Sequence, residues 1–217
     1  MKKKLIQKLN TYKYLIALIS VFNFLLTPIH ASISEMYPAH VVVINYTLVI
    51  LASSLIASSA KTRMRSYGLG FIALLFIWLE FSKPDMAMIN IFRLLSSFIL
   101  FSYFCFLLIQ QLRKIEKINL QFILGPILGF IYLGIIGGIL FETIHYIDPN
   151  SFHLRGDYSG YIFYYFSFIS ITTVGYGDVT PLTQQAQAVT LVMNIIGQFY
   201  LAIVIAVFVG KYINVKS

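Results

Sequence analysis

Residues 158–178 read YSGYIFYYFSFISITTVGYGD, and this stretch decides the fold. Its first part, Tyr158 to Thr172, is aromatic, semi-polar and helical in character. At 1.5 Å per residue it spans only about 22 Å, too little to cross a hydrocarbon core of about 30 Å. A helix that enters a bilayer and stops must be followed by backbone that protein or a water-filled cavity covers. The residues that follow meet that demand: Gly175 and Gly177 alternate with Val174 and Tyr176 and supply positive φ without steric penalty. Tyr158–Thr172 therefore reads as a re-entrant helix leading into a specialised loop.

Outward from it, the chain is a run of apolar segments. Of 217 residues, 59% are hydrophobic and 11% charged, with mean hydropathy +0.81. A soluble domain carries about a quarter charged residues, so a soluble enzyme and a disordered chain are excluded. Six spans follow: Tyr12–Pro28, Val41–Ala60, Tyr67–Phe81, Asp85–Ile109, Leu120–Thr143 and Gln185–Ile213. The block 121–138 holds Gly125, Pro126, Gly129, Gly134, Gly137 and Gly138, a spacing that allows close helix packing. The expected fold class is an all-α membrane protein of six transmembrane helices plus the re-entrant helix and its loop. No internal repeat is evident.

The net charge of +8 does not form a basic stripe with interleaved aromatics, so no nucleic-acid partner is expected. It orients the chain instead. Lys2, Lys3, Lys4, Lys8, Lys13, Lys61, Arg63, Arg65, Arg113, Lys114, Lys117, Lys211 and Lys216 fall on one side of the six spans. Lys83 and Arg155 fall on the other, with every acid except Glu116. The positive-inside rule then places both termini in the cytoplasm and the Ile144–Gly160 loop outside. Lys2–Lys4 with the first apolar run also fit a signal peptide, but Ile29 stands where cleavage wants a small residue. The lone Cys105 cannot form an intrachain disulfide, and His30, His40, His145 and His153 read as solvated residues of connecting segments. No metal-ligand spacing is present, and no cofactor is expected.

Thr172-Thr173-Val174-Gly175-Tyr176-Gly177-Asp178 resembles the signature of the tetrameric potassium channel superfamily. The resemblance implies a homotetramer in which the carbonyls of Thr173, Val174, Gly175 and Tyr176, with the Thr173 hydroxyl and Gly177, replace the hydration shell of K+. Val174 and Tyr176 would point outward into packing that holds the ring open. The C-terminus of the re-entrant helix, near Thr172, would aim its negative dipole end at the aqueous cavity. Tyr164, Tyr165 and Phe166 occupy the positions of the family's aromatic cuff around the filter. Ile169 stands where some members carry a glutamate that pairs with the aspartate after the filter. Asp178 then needs another donor, and Tyr165 is the candidate. By the same alignment Gly197 is a hinge glycine of the inner helix, and Gln198 and Leu201 face the cavity. Gly197 also suits plain close packing, and Asn194 and Gln198 also suit interhelical bonding.

The likeness is strong over residues 120–213. Residues 1–115 are expected to form a four-helix, voltage-sensor-like domain and residues 116–217 the pore domain. A sensing fourth helix needs arginine at every third position, and this one offers Arg93 alone. Placed eight residues below Asp85, Arg93 reads as mid-depth, either a residual sensor or a structural partner of Asn45 or Tyr46. Glu80 lies near an outer end, so buried counter-charges are expected to be missing.

The implied activity is passive K+ conduction across the plasma membrane, weakly or not voltage-gated, with no reaction catalysed and no soluble ligand-binding domain. Two rivals are a subunit of a potassium uptake transporter with a channel-like core, which usually carries four diverged filter repeats, and a non-conducting membrane adaptor.

Overall fold

The computed structural model describes residues 2–33, 38–113, 120–154 and 161–216. The expected topogenic charges Lys114, Lys117 and Arg155, with Glu116, lie outside the described residues, as does the 158–160 end of the re-entrant segment. The chain divides into two compact units, Met1–Leu128 and Gly129–Ser217.

The first unit holds α1 (Lys2–Leu25), α2 (Thr27–Ile33), α3 (Pro38–Ser54), α4 (Ala60–Ser82), α5 (Ala87–Leu112) and the start of α6 (Leu120–Ile147). Helix α1 packs on α3, α3 on α4, and α4 on α5. The buried positions recur every three or four residues: Tyr14, Ala17, Val21 and Phe24 on α1, and Leu94, Ser97, Phe101, Phe104 and Leu108 on α5. Between them Phe24, Tyr46, Phe101 and Phe104 form an edge-on aromatic chain with centroid spacings of 5.3, 5.8 and 5.9 Å. Helix α4 buries small residues (Ser66, Gly70, Ala73) with Ile77, and the missing Cβ of Gly70 lets it lie against Ser54 and Ile50 of α3.

Helix α4 begins earlier than its apolar run because Ser59 and Thr62 form a reciprocal capping box, with Thr62 N donating to Ser59 Oγ and Ser59 N to Thr62 Oγ1. Lys61, Arg63 and Arg65 are therefore helical, not linker residues.

Two charged residues depart from expectation. Lys13, counted among the charges on one side of the spans, is buried: its ammonium donates to Ile56 O (3.0 Å), Ser58 Oγ (2.9 Å) and Gln111 Oε1 (2.6 Å). Tyr14 Oη also donates to Gln111 Oε1, and Gln111 Nε2 to Ile56 O. This network ties α1, the α3–α4 connection and α5 together at one end of the unit. Arg93 pairs with Glu80. Asn45 is engaged by Asn23 and Thr27. Helix α5 starts at Ala87 rather than Asp85, so Arg93 lies only about 9 Å from its start. The tight α4–α5 connection then brings the end of α4, with Glu80, alongside. Arg93 thus has the counter-charge that the sequence reading denied it.

The second unit holds α6 from Gly129 on, β1 (Phe152–Leu154), α7 (Tyr161–Ile171), β2 (Val179–Pro181) and α8 (Gln184–Lys216). The all-helical expectation needs one addition: β1 and β2 form an antiparallel ribbon with Phe152 opposite Pro181. Leu182 N extends the tie by donating to Ser151 O at 2.8 Å. Helix α6 runs past Thr143 to Ile147, and the His145 ring packs on Phe163 at 4.9 Å. None of the four histidines lies in a connection, since His30 is in α2, His40 in α3, His145 in α6 and His153 in β1.

The glycines of α6 form the seat of α7. A Cβ on Gly138 would stand 2.9 Å from the Tyr164 backbone, and Cβ atoms on Gly134 and Gly137 would collide with Phe168 and Ser167. Ser167 Oγ uses this closeness to donate to Gly134 O at 2.7 Å. Above the seat Phe141, Phe152, Phe163 and Phe166 pack as one aromatic cluster.

Among the described residues four helices are long and apolar enough to cross a membrane: Ala60–Ser82, Ala87–Leu112, Leu120–Ile147 and Gln184–Val207. Tyr12–Leu25, His40–Ser54 and Tyr161–Ile171 are shorter apolar helices. The protein is an α-helical, multi-pass membrane protein.

Candidate functional site

Helix α7 is 11 residues long, about 16 Å. An α-helix leaves its last four carbonyls without intrahelical partners, and here all four are accounted for. Phe168 O accepts from Thr172 N (3.1 Å) and Thr172 Oγ1 (2.6 Å). Ile169 O accepts from Val174 N (2.9 Å) and Gly175 N (3.1 Å), and Ser170 O from Thr173 N (3.0 Å). Ile171 O accepts from Gln198 Nε2 of α8 at 3.1 Å.

The N–H groups of residues 172–175 are thus all turned back onto the helix that precedes them. Their own carbonyls, with those of Tyr176 and Gly177, accept no hydrogen bond among the described residues. The backbone achieves this by alternation: φ is +63° at Thr173, +53° at Gly175 and +76° at Gly177. The glycines carry no cost there, whereas a β-branched threonine at positive φ is strained by about 1–3 kcal/mol. Thr173 is the one non-glycine at positive φ among the described residues, a feature the sequence does not announce. Such a row of unpaired carbonyls suits a dehydrated cation.

After the loop, Asp178 is held from two directions. Tyr165 Oη donates to Oδ2 at 2.7 Å and Val179 N to Oδ1 at 3.1 Å. Ile169 is apolar and buried in the core below. The three aromatics expected to act together do not share one surface. Tyr164 lies on Gly138, Phe166, 4% exposed, stands on Phe141 and Phe152, and Tyr165 bonds to the loop end. Val174 and Tyr176 are left 50% and 72% exposed among the described residues.

On α8, the helix is continuous through Gly197. A Cβ there would stand 3.0 Å from Ile171 Cβ and 3.3 Å from Ile171 O, so the glycine lets α8 lie directly against the end of α7. Gln198, expected to line a cavity, is exposed but has its amide on Ile171 O, and Leu201 is half-buried one turn on. The buried Asn194 Oδ1 has no hydrogen-bond partner among the described residues. The contacts of Gln198 and Gly197 with Ile171 were not anticipated. The signal was a Gly-Gln pair 24 residues after Thr173, whose partner only the fold supplies.

Residues 128–214 match a protein family described as ion channel. That segment covers the seat on α6, the short helix, the loop and α8, and over it the chain is similar to ion channels. No curated protein and no solved structure matches the chain.

Proposed function

We propose that the chain is one subunit of a homotetrameric, potassium-selective channel that conducts passively across the plasma membrane. The observation that carries this is the loop 172–177, whose N–H groups are turned back onto α7 while its carbonyls are left unpaired. One copy offers a single row of carbonyls and cannot surround an ion. Four copies about an axis supply the ring of oxygens that replaces a K+ hydration shell. The exposure of Val174, Tyr176 and the apolar positions Val192, Ile196, Phe199 and Ile203 of α8 supports burial against other copies and lipid.

In this reading Thr173–Gly177 bind the ion, Thr172, Tyr165, Phe166 and Asp178 support them, Gly197 is the pivot of the inner helix, and Gln198 and Leu201 border the cavity. Helices α1, α3, α4 and α5, within residues 1–115, form a sensor-like domain, and residues 116–217 form the pore. In this reading α1, α3, α4, α5, α6 and α8 all cross, with both termini in the cytoplasm. Gating is at most weakly voltage-dependent, because Arg93 is a lone charge tied to Glu80. No cofactor takes part.

The test is reconstitution of the purified chain into liposomes with K+ inside and Na+ outside. Unitary currents that reverse near the K+ equilibrium potential are expected. Slow, saturating flux would point to a transporter, and no flux would overturn the reading.

A further inference from the structure

We infer that Gln198 is a positioning residue for ion selectivity: its side chain closes the C-terminal end of the short helix α7, from which the filter hangs. This rests on the channel reading and adds to it a determinant outside the filter segment. Of the four terminal carbonyls of α7, three are held by the filter's own N–H groups. Those bonds tie the filter to α7 and to no other element. The fourth, Ile171 O, is held by a different element, through Gln198 Nε2 at 3.1 Å.

Ile171 is fully buried, so water does not reach this residue. A carbonyl oxygen only accepts, so the amide must present its nitrogen to Ile171 and its Oε1 elsewhere. The orientation follows from the partner's chemistry. A second observation is independent of the hydrogen bond: the residue before Gln198 is Gly197, and the absence of its Cβ brings α8 within contact of Ile171. One residue supplies the approach and the next supplies the donor, both at the same carbonyl. The next residue along is Thr172, whose N–H and hydroxyl are both committed to Phe168 O, and then Thr173, strained at positive φ. An unanchored Ile171 carbonyl frees this turn to relax, and the first ring of filter oxygens widens with it.

The experiment measures the K+/Na+ permeability ratio of full-length channels in liposomes under bi-ionic conditions. Gln198→Leu, which removes the donor, is expected to lower the ratio about tenfold. Gln198→Glu keeps the shape but makes the donor titratable: a protonated carboxyl has an O–H to give Ile171 O, and an ionised one has none. The ratio of the Gln198→Glu channel is expected to recover as pH falls from about 7 to about 4, a range that approaches the ordinary protonation of a glutamate carboxyl at about 4.3, while the wild type stays flat. A purely space-filling role would not give that pH profile. If Gln198→Leu does not assemble, the titration of Gln198→Glu decides alone. A conducting, selective wild type with a pH-independent Gln198→Glu channel of the same selectivity overturns the inference. A wild type that does not conduct overturns the channel reading itself.

Discussion

The hydroxyl of Tyr165, in the middle of the short helix, donates to the carboxylate of Asp178, the first residue after the loop 172–177, at 2.7 Å. The bond closes a bracket around residues 166–177 that no backbone contact provides. A neutral hydroxyl donating to a carboxylate contributes about 1.5–3 kcal/mol. Tyr165→Phe is therefore expected to destabilise the conducting filter and hasten the decay of current under sustained K+ flux. Patch recordings with unchanged decay would remove Tyr165 from that role.

At Gly177, φ of +76° admits glycine freely and costs an L-residue about 1–2 kcal/mol. Gly177→Ala and Gly175→Ala should each abolish K+ selectivity or conduction while leaving the chain inserted and assembled. Bi-ionic reversal potentials check this, and unchanged K+ preference in both would defeat the filter assignment.

Gly138→Ala tests the seat on α6 rather than the ion path. The new methyl meets Tyr164 backbone at 2.9 Å, which no rotamer change relieves. A loss of about 1–3 kcal/mol is expected from overpacking of this kind. It would appear in detergent as a lower midpoint of thermal unfolding for the full chain.

Gly197→Ala separates two uses of one glycine. Its Cβ would press on Ile171 at 3.0 Å. If Gly197 serves packing, selectivity falls with the substitution. If it serves only as a pivot, open probability shifts and the permeability ratio holds. Both effects are expected: a shifted open probability from the pivot and a lowered permeability ratio from the contact with Ile171.

The Glu80–Arg93 pair sets a ceiling on voltage dependence. One charge crossing the full field is worth about 2.3 kcal/mol per 100 mV, so four copies of Arg93 supply at most about 9 kcal/mol. Pairing with Glu80 restrains even that movement. The conductance–voltage curve should be shallow, and Arg93→Gln should flatten it further. A slope equivalent to ten or more gating charges would require a sensor that α5 does not contain.

How much of this could be read from the sequence depends on the range of each interaction. Gly175 and Gly177 announce themselves because positive φ is a local demand with a local solution. Thr173 does not, because threonine disfavours the conformation it is held in, and the bonds from residues 172–175 to α7 impose it. Lys13 reads only as one of the charges that orient the chain; its partner Gln111 lies 98 residues away, and nothing in either neighbourhood points to the other. The ribbon of Phe152 with Pro181 was illegible for a related reason, since strands of three residues leave no period to detect. Glu80 and Arg93 were closer to legible. Counting from Ala87 instead of Asp85 moves Arg93 toward the hairpin end and its partner, so the error lay in one helix boundary.

The network around Lys13 has a consequence for where ions cannot go. Its three acceptors, Ile56 O, Ser58 Oγ and Gln111 Oε1, are all uncharged, so they hold the ammonium without cancelling it. A net positive charge is thereby fixed among packed helices of low polarisability, where its repulsion of other cations is screened far less than in water. A cation is therefore disfavoured beside the Gln111 end of α5, and a substitution that only neutralises Lys13 removes that repulsion together with the donor that the three acceptors share.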